Sequence, residues 1–195
     1  MADRTLILAS SSPRRRQLLE MADLSFIVVT KETDETFDPV LGLKDAVADV
    51  AKRKACAILD QAAKEDILIA ADTIVVLKDQ IIGKPKNRED AINTLMQLQG
   101  TMHEVITGVA LLSGDQEVVF SETTEVVFHP LTLRQITYYI EKYQPFDKAG
   151  AYAIQEWIGV TGIKRINGDF YNVMGLPVSR VLQEIRKLGY RLGED

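Results

Sequence analysis

The run Leu8-Ala9-Ser10-Ser11-Ser12-Pro13-Arg14-Arg15-Arg16 sets three guanidinium groups after three hydroxyls, with one proline between them. Ser12 reads as a helix N-cap and Pro13 as the first helical residue. Arg14, Arg15 and Arg16 then fall in the first turn, where unpaired N–H groups and the positive end of the macrodipole disfavour cations. A polyanion docked at this end would take up both the N–H groups and the guanidinium forks. Three solvated arginines on a surface helix are the plain alternative.

Asp72 stands inside the most apolar stretch of the chain, Ile67-Leu-Ile-Ala-Ala-Asp-Thr-Ile-Val-Val76. A bare carboxylate there is expensive, so it must be paired, metal-bound, or at a strand end facing a cleft. A buried aspartate that merely accepts backbone N–H bonds satisfies the pattern equally. Lys54, four residues after Val50 and four before Ile58, falls on the inward stripe of a helix. Either it snorkels at the edge of that stripe, or, with Asp72, Glu35 and a triphosphate nearby, it is a phosphate ligand. A lysine that only snorkels could become methionine without loss of stability. Gly83-Lys84-Pro85 holds a lysine on a short stiff turn, with Gly83 free to take a positive φ. Neither the P-loop spacing nor a Gly-x-Gly-x-x-Gly fingerprint is present.

Two further segments are rich in small residues. Phe146-Asp147-Lys148-Ala-Gly-Ala-Tyr152-Ala-Ile-Gln155 lets a ligand or another backbone approach closely, as a tightly packed turn also would. Gly168-Asp-Phe-Tyr171-Asn172-Val-Met-Gly-Leu-Pro177 leads a glycine-bearing loop into a helix. His103 and His129 match no triad or metal pattern and read as structural.

The elements that must position these groups follow from periodicity. Residues 5–9, 25–29 and 67–77 read as strands, and 80–82 as a short fourth. An amphipathic helix over 44–63 turns Val47, Val50, Ala51, Ala55, Ile58, Leu59 and Ala62 to one face. The acidic loop Glu32-Thr-Asp34-Glu35 precedes it. Asn87 caps a helix carrying Ile92, Leu95 and Met96 inward. Strands over 104–112 and 117–128 form a hairpin across Ser113-Gly-Asp-Gln116. Thr132 and Gln135 make a capping box, and the last helix starts at Pro177. Strands and helices alternate in the first half while the hairpin is antiparallel, so the fold class is α/β with a mixed twisted sheet flanked by helices.

Length and composition narrow the setting. At 195 residues the chain fits one domain, 1–195, with a sizeable core. A net charge of −5 argues against a generic nucleic-acid binder while allowing a local basic pocket. Cys56 stands alone, so no internal disulfide or zinc cluster arises. No signal peptide or transmembrane run is visible, which makes a cytoplasmic location with no membrane partner the expectation.

Seven segments in order resemble the Maf family of nucleoside triphosphate pyrophosphatases: Ala9-Ser-Ser-Ser-Pro-Arg-Arg15, Asp34-Glu35-Thr36, Lys54-Ala55, Ala71-Asp72-Thr73, Gly83-Lys84-Pro85, Lys148-Ala-Gly-Ala-Tyr-Ala-Ile-Gln155 and Asn172-Val-Met-Gly-Leu-Pro177. The resemblance implies a fold shared with the inosine triphosphate pyrophosphatases, with a cleft between two lobes. It implies hydrolysis between the α- and β-phosphates, with a divalent cation, Mg²⁺ or Mn²⁺. Asp72 matches the proton acceptor. Arg14, Thr73 and Gln155 match residues that tune base choice, and Ser10, Glu35, Lys54 and Lys84 match others of the same pocket. Arg15 joins the substrate-binding set, and Glu35 and Asp72 are the expected metal ligands; whether Asp72 acts as base, metal ligand or both stays open. The Ala-Tyr-x-Ile-Gln pattern resembles the dTTP/UTP subgroup, and Ala153 stands where relatives often carry glycine.

The nucleoside triphosphate is thus the expected partner, with a homodimer the one protein assembly entertained. Two alternatives remain beside this reading: a nucleotide-sensing regulator linked to cell division that binds without turnover, and a pyrophosphatase for modified purine nucleotides.

Overall fold

The computed structural model describes residues 4–193. Within them seven strands form one mixed sheet: β1 (Leu6–Leu8), β2 (Phe26–Val28), β3 (Ile67–Leu77), β4 (Gln80–Ile82), β5 (Met102–Ser113), β6 (Gln116–Phe128) and β7 (Ile163–Asn167). The order is β2-β1-β3-β5-β6-β7, with β4 also on β3. β1 runs parallel to both β2 and β3, whereas β3/β4 and β6/β7 are antiparallel. The chain divides into two compact units, one drawn from Met1–Asp72, Thr107–Glu122 and Gly175–Asp195, the other from Thr73–Ile106 and Thr123–Met174.

In the first unit β1 is registered on β3 with Leu6 opposite Ile67 and Leu8 opposite Ile69. Helix α1 (Pro13–Met21) follows, then α2 (Leu43–Cys56). Ile7, Ala9, Ala51, Ala55, Ile58, Leu68, Ala70, Ala110 and Leu112 make one apolar cluster, so α2 seals a face of the sheet. The helix approaches β5 so closely that a Cβ on Gly108 would lie 2.3 Å from the Val47 carbonyl oxygen. It ends at Cys56 rather than continuing to 63. A 3-10 turn over Leu59–Gln61 takes over because the chain must reverse to enter β3, and Leu59 is left half exposed. Cys56 is a free, exposed thiol.

In the second unit α3 (Arg88–Leu98) starts where Asn87 accepts the Asp90 N–H. Its buried face is Ala91, Thr94, Leu95 and Leu98. Met96 instead points outward at 42% exposure, because the i, i+4, i+7 stripe from Ala91 leaves it about a quarter-turn away. The capping box of α4 (Leu133–Tyr143) is formed by Thr132 and Gln135 as read from sequence. A 3-10 turn (Ala149–Ala151), α5 (Trp157–Gly162) and α6 (Phe170–Met174) complete this unit, and α7 (Val178–Lys187) returns the chain to the first. Val178, Val181 and Ile185 line the buried face of α7. His103, Phe128 and Tyr152 pack ring on ring in the second unit, so His103 is structural as expected; His129 is exposed. No described helix is long and apolar enough to cross a membrane.

Candidate active site

Nine of the eleven residues of β3 are buried, and the two that are not are Asp72 and Thr73. This gap in an apolar strand is where chemistry can reach solvent. Asp72 is paired: its Oδ1 accepts from Lys54 Nζ at 2.7 Å. The same ammonium lies 2.6 Å from Glu35 Oε1, so one lysine bridges two carboxylates. Lys54 and Asp72 are 14% and 13% exposed, whereas Glu35 is 56% exposed. The helical spacing that put Lys54 on the inward stripe is thus what aims its amine at β3.

Glu35 rides on a loop with its own scaffold. The Asp34 carboxylate accepts the Thr36 N–H at 2.9 Å and the Thr36 hydroxyl at 2.7 Å, closing a tight turn around Glu35. Those two bonds hold the Asp34 carboxyl below its ordinary range. Arg53, the residue before Lys54 on α2, donates to the carbonyl oxygens of Asp34 and Thr36 and is itself steadied by Asp49. Consecutive residues of one helix therefore grip the loop backbone and the Glu35 side chain. Arg53 did not stand out from the sequence, although the Asp-x-Thr turn signal next to a basic helix end could have marked it.

The opening arginines separate once folded. Ser12 occupies the N-cap position of α1, but its side chain makes no capping bond. Arg15 turns inward, donating from Nε to the Gly175 carbonyl at 2.8 Å and from Nη1 to Ser10 Oγ at 3.2 Å. Burial lowers its pKa to about 10 against the attraction of Asp72 and Glu35, with Arg14 lowering it further; it remains a cation at neutral pH. Arg16 is exposed and pairs with Glu20 at 2.8 Å. Arg14 is half-buried. Ser10, Arg14, Arg15, Glu35, Lys54 and Asp72 all belong to the first unit, and bonds or direct charge interaction link them into one cluster.

Thr73, Lys84 and Gln155 belong to the second unit. Lys84 is exposed after β4, and Gly83 takes no positive φ. Its carbonyl instead accepts the Gly150 N–H at 3.1 Å, and it is Gly150 that adopts the left-handed conformation. The Lys84 turn is thereby tied to the segment leading to Gln155. Gln155 is exposed directly after the buried run Gly150–Ile154.

Two carboxylates converging on one cationic point form the oxygen donor set that Mg²⁺ accepts, when phosphate and water supply the remaining ligands. No group of three or more His, Cys, Asp or Glu able to hold a metal occurs among the described residues. The residues therefore fit a cation shared with a phosphate-bearing substrate, not an all-protein cage.

Comparison with known proteins places the chain. The dTTP/UTP pyrophosphatase of Cytophaga hutchinsonii is 49% identical over 183 residues, covering 94% of this chain and 84% of the relative. That of Geobacillus sp. is 46% identical, covering 95% and 98%. Among solved structures, the Staphylococcus aureus Ham1 protein aligns over 64% of this chain and 72% of its own, with 14% identity and a TM-score of 0.45. The model of the Maf-like protein family matches residues 5–188, and with relatives this similar over nearly the whole length, the chain belongs to that family.

Proposed function

We propose that this protein is a nucleoside triphosphate pyrophosphatase that hydrolyses dTTP and UTP to the monophosphate and pyrophosphate. The observation that carries the reading is the Lys54 ammonium held between Glu35 and Asp72, beside the buried cation Arg15. A pure binder of triphosphates gains nothing from two carboxylates near phosphate unless a metal is present, whereas a hydrolase also needs one of them as a proton acceptor. The names of the relatives point to the same chemistry and to pyrimidine substrates.

In this reading Ser10, Arg14, Arg15, Lys54 and Lys84 bind the triphosphate, whose charge of about −4 needs several cations to offset it. Arg15 acts from beneath, through the charge it keeps while bonded to Ser10 and Gly175. Asp72 takes the proton from water as the water oxygen bonds to phosphorus. The α–β anhydride bond breaks, and pyrophosphate leaves. Glu35 and Asp72 would hold the divalent cation, Mg²⁺ or Mn²⁺, which would supply charge neutralisation there. Thr73 and Gln155 tune the base. A carboxamide can accept from the N3–H of uracil or thymine and donate to a flanking carbonyl, a pattern that cytosine reverses. The whole chain acts as one domain, soluble in the cytoplasm.

The test is a panel of nucleoside triphosphates with Mg²⁺ or Mn²⁺. dTTP and UTP are expected to be turned over fastest. Purine preference would overturn the base assignment, and binding without turnover of any nucleotide would replace the enzyme with a sensor.

A further inference from the structure

Gln155 can discriminate bases only if its amide is held in one place. A free glutamine has three side-chain torsions, and an amide that flips offers cytosine what it offers uracil. Its surroundings are consequently of interest. Tyr139, on α4, has a fully buried side chain whose hydroxyl does two things at once. It accepts the Ala153 N–H at 3.1 Å, and it donates to Glu156 Oε2. Ala153 and Glu156 flank Ile154-Gln155, and the Glu156 N–H also bonds the Ala153 carbonyl at 3.1 Å. The hydroxyl thus closes, from the inside, a turn whose one exposed side chain is Gln155.

Other contacts stiffen the same turn. Glu156 Oε1 lies 3.8 Å from Lys148 Nζ, which bonds Asp147 at 2.7 Å. Tyr152 is buried with its hydroxyl 2.8 Å from His103 Nε2. Gly159 of α5 sits so close that a Cβ would come 1.7 Å from the Ile154 carbonyl oxygen, which allows only glycine there. Burial, together with the bond to Glu156, pushes the Tyr139 hydroxyl far above its ordinary pKa, so it remains a donor throughout the working range. A buried tyrosine on a separate helix that ties down both ends of the segment Ile154-Gln155, of which only Gln155 is exposed, is more than core filling needs; phenylalanine would fill the same volume.

We propose that Tyr139, acting through Ala153 and Glu156, is a positioning residue for base selectivity: its hydroxyl fixes the backbone that presents Gln155. The proposal rests on the pyrimidine reading given above. The step it controls is discrimination, not the hydrolysis itself, so its signature is a changed ratio between bases.

The experiment measures kcat/KM for UTP and CTP in wild type, Tyr139→Phe, Gln155→Ala and the double variant. Tyr139→Phe is expected to lower the UTP:CTP ratio by roughly tenfold, with the loss falling on UTP. In the Gln155→Ala background the same substitution should leave the ratio unchanged, because the two act through one contact. Equal losses for UTP and CTP in Tyr139→Phe, while Gln155→Ala flattens the preference, would overturn the positioning role and leave a structural tyrosine. A preference unmoved by Gln155→Ala would instead overturn the base-reading assignment itself, and the proposal with it. Should Tyr139→Phe fail to fold, Glu156→Ala removes the acceptor side of the clasp and should reproduce the fall. Glu156→Gln, which still accepts the hydroxyl, should restore the ratio, and a fall as large as with alanine would count against the clasp.

Discussion

At the scale of single residues, Lys54 satisfies two carboxylates at once, which changes what its replacement should do. A lysine that only snorkelled could be exchanged for methionine without harm, as the helical pattern alone suggested. With Asp72 only 13% exposed and bonded to that amine, Lys54→Met strands a largely buried carboxylate. The variant is expected to lose on the order of 1–3 kcal/mol of stability together with activity, read from urea denaturation beside a turnover assay; a variant as stable as wild type would return Lys54 to the snorkelling role. Arg53 makes a contrasting case. Arg53→Met should release the Asp34–Thr36 carbonyls and let Glu35 wander, raising the Mg²⁺ concentration for half-maximal rate by roughly tenfold. An unchanged Mg²⁺ requirement would mean that the loop holds Glu35 without help. Lys54 and Asp72 were legible from sequence because each breaks a local pattern, whereas Glu35 conforms to an acidic run and stood out only through the family resemblance. Arg53 and Tyr139 were not, since each looks like an ordinary helical residue until its distant partner is known.

At the scale of elements, close packing of α2 on β5 sets where the site's lysine points. Gly108 has the Val47 carbonyl where a side chain would be, so Gly108→Ala must push α2 outward. A loss of about 1–3 kcal/mol is expected, seen as a lowered thermal midpoint, with activity falling further than stability because Lys54 rides on the displaced helix. Gly83→Ala is the matching control: nothing lies within 4 Å of its added methyl and its φ is not positive, so stability should stay within about 0.5 kcal/mol of wild type. If both variants behave alike, the close approach at Gly108 is not what fixes α2. Most elements were readable in advance. β3 matched to the residue because an eleven-residue apolar run bounded by polar turns has one solution, and the Thr132 capping box and Asn87 cap are signals confined to four residues. The early end of α2 was not readable, because the apolar residues Leu59 and Ala62 continue the helical stripe while the chain must already turn towards β3. The outward Met96 escaped for the same reason: a stripe of three can be drawn on either side of Leu95. The pairing of Gly83 with Gly150 depends on residues 67 positions apart, which no local pattern encodes.

At the scale of the whole molecule, acid stability and catalysis report on different parts of the fold. His103 is 1% exposed, and burial pushes its pKa down to about 4, below the unfolded value of about 6.5. Between those values the unfolded chain binds the proton and the native one does not, so stability is complete above about pH 6.5 and declines as pH falls towards 4. His103→Gln keeps a partner for Tyr152 but cannot titrate. The difference in stability between pH 7 and pH 4 should shrink in that variant by up to about 3 kcal/mol; an identical pH slope would show that His103 titrates normally. The most direct measurement of the central claim compares wild type with Asp72→Asn. Products released from dTTP and UTP in Mg²⁺ would be identified, and the affinity for a non-hydrolysable α,β-methylene analogue measured by calorimetry. Wild type should release pyrophosphate and monophosphate, and Asp72→Asn should turn over at least roughly 10²-fold more slowly while binding the analogue within a few-fold of wild type. Orthophosphate as the product, or an Asp72→Asn variant that turns over at the wild-type rate, would contradict it.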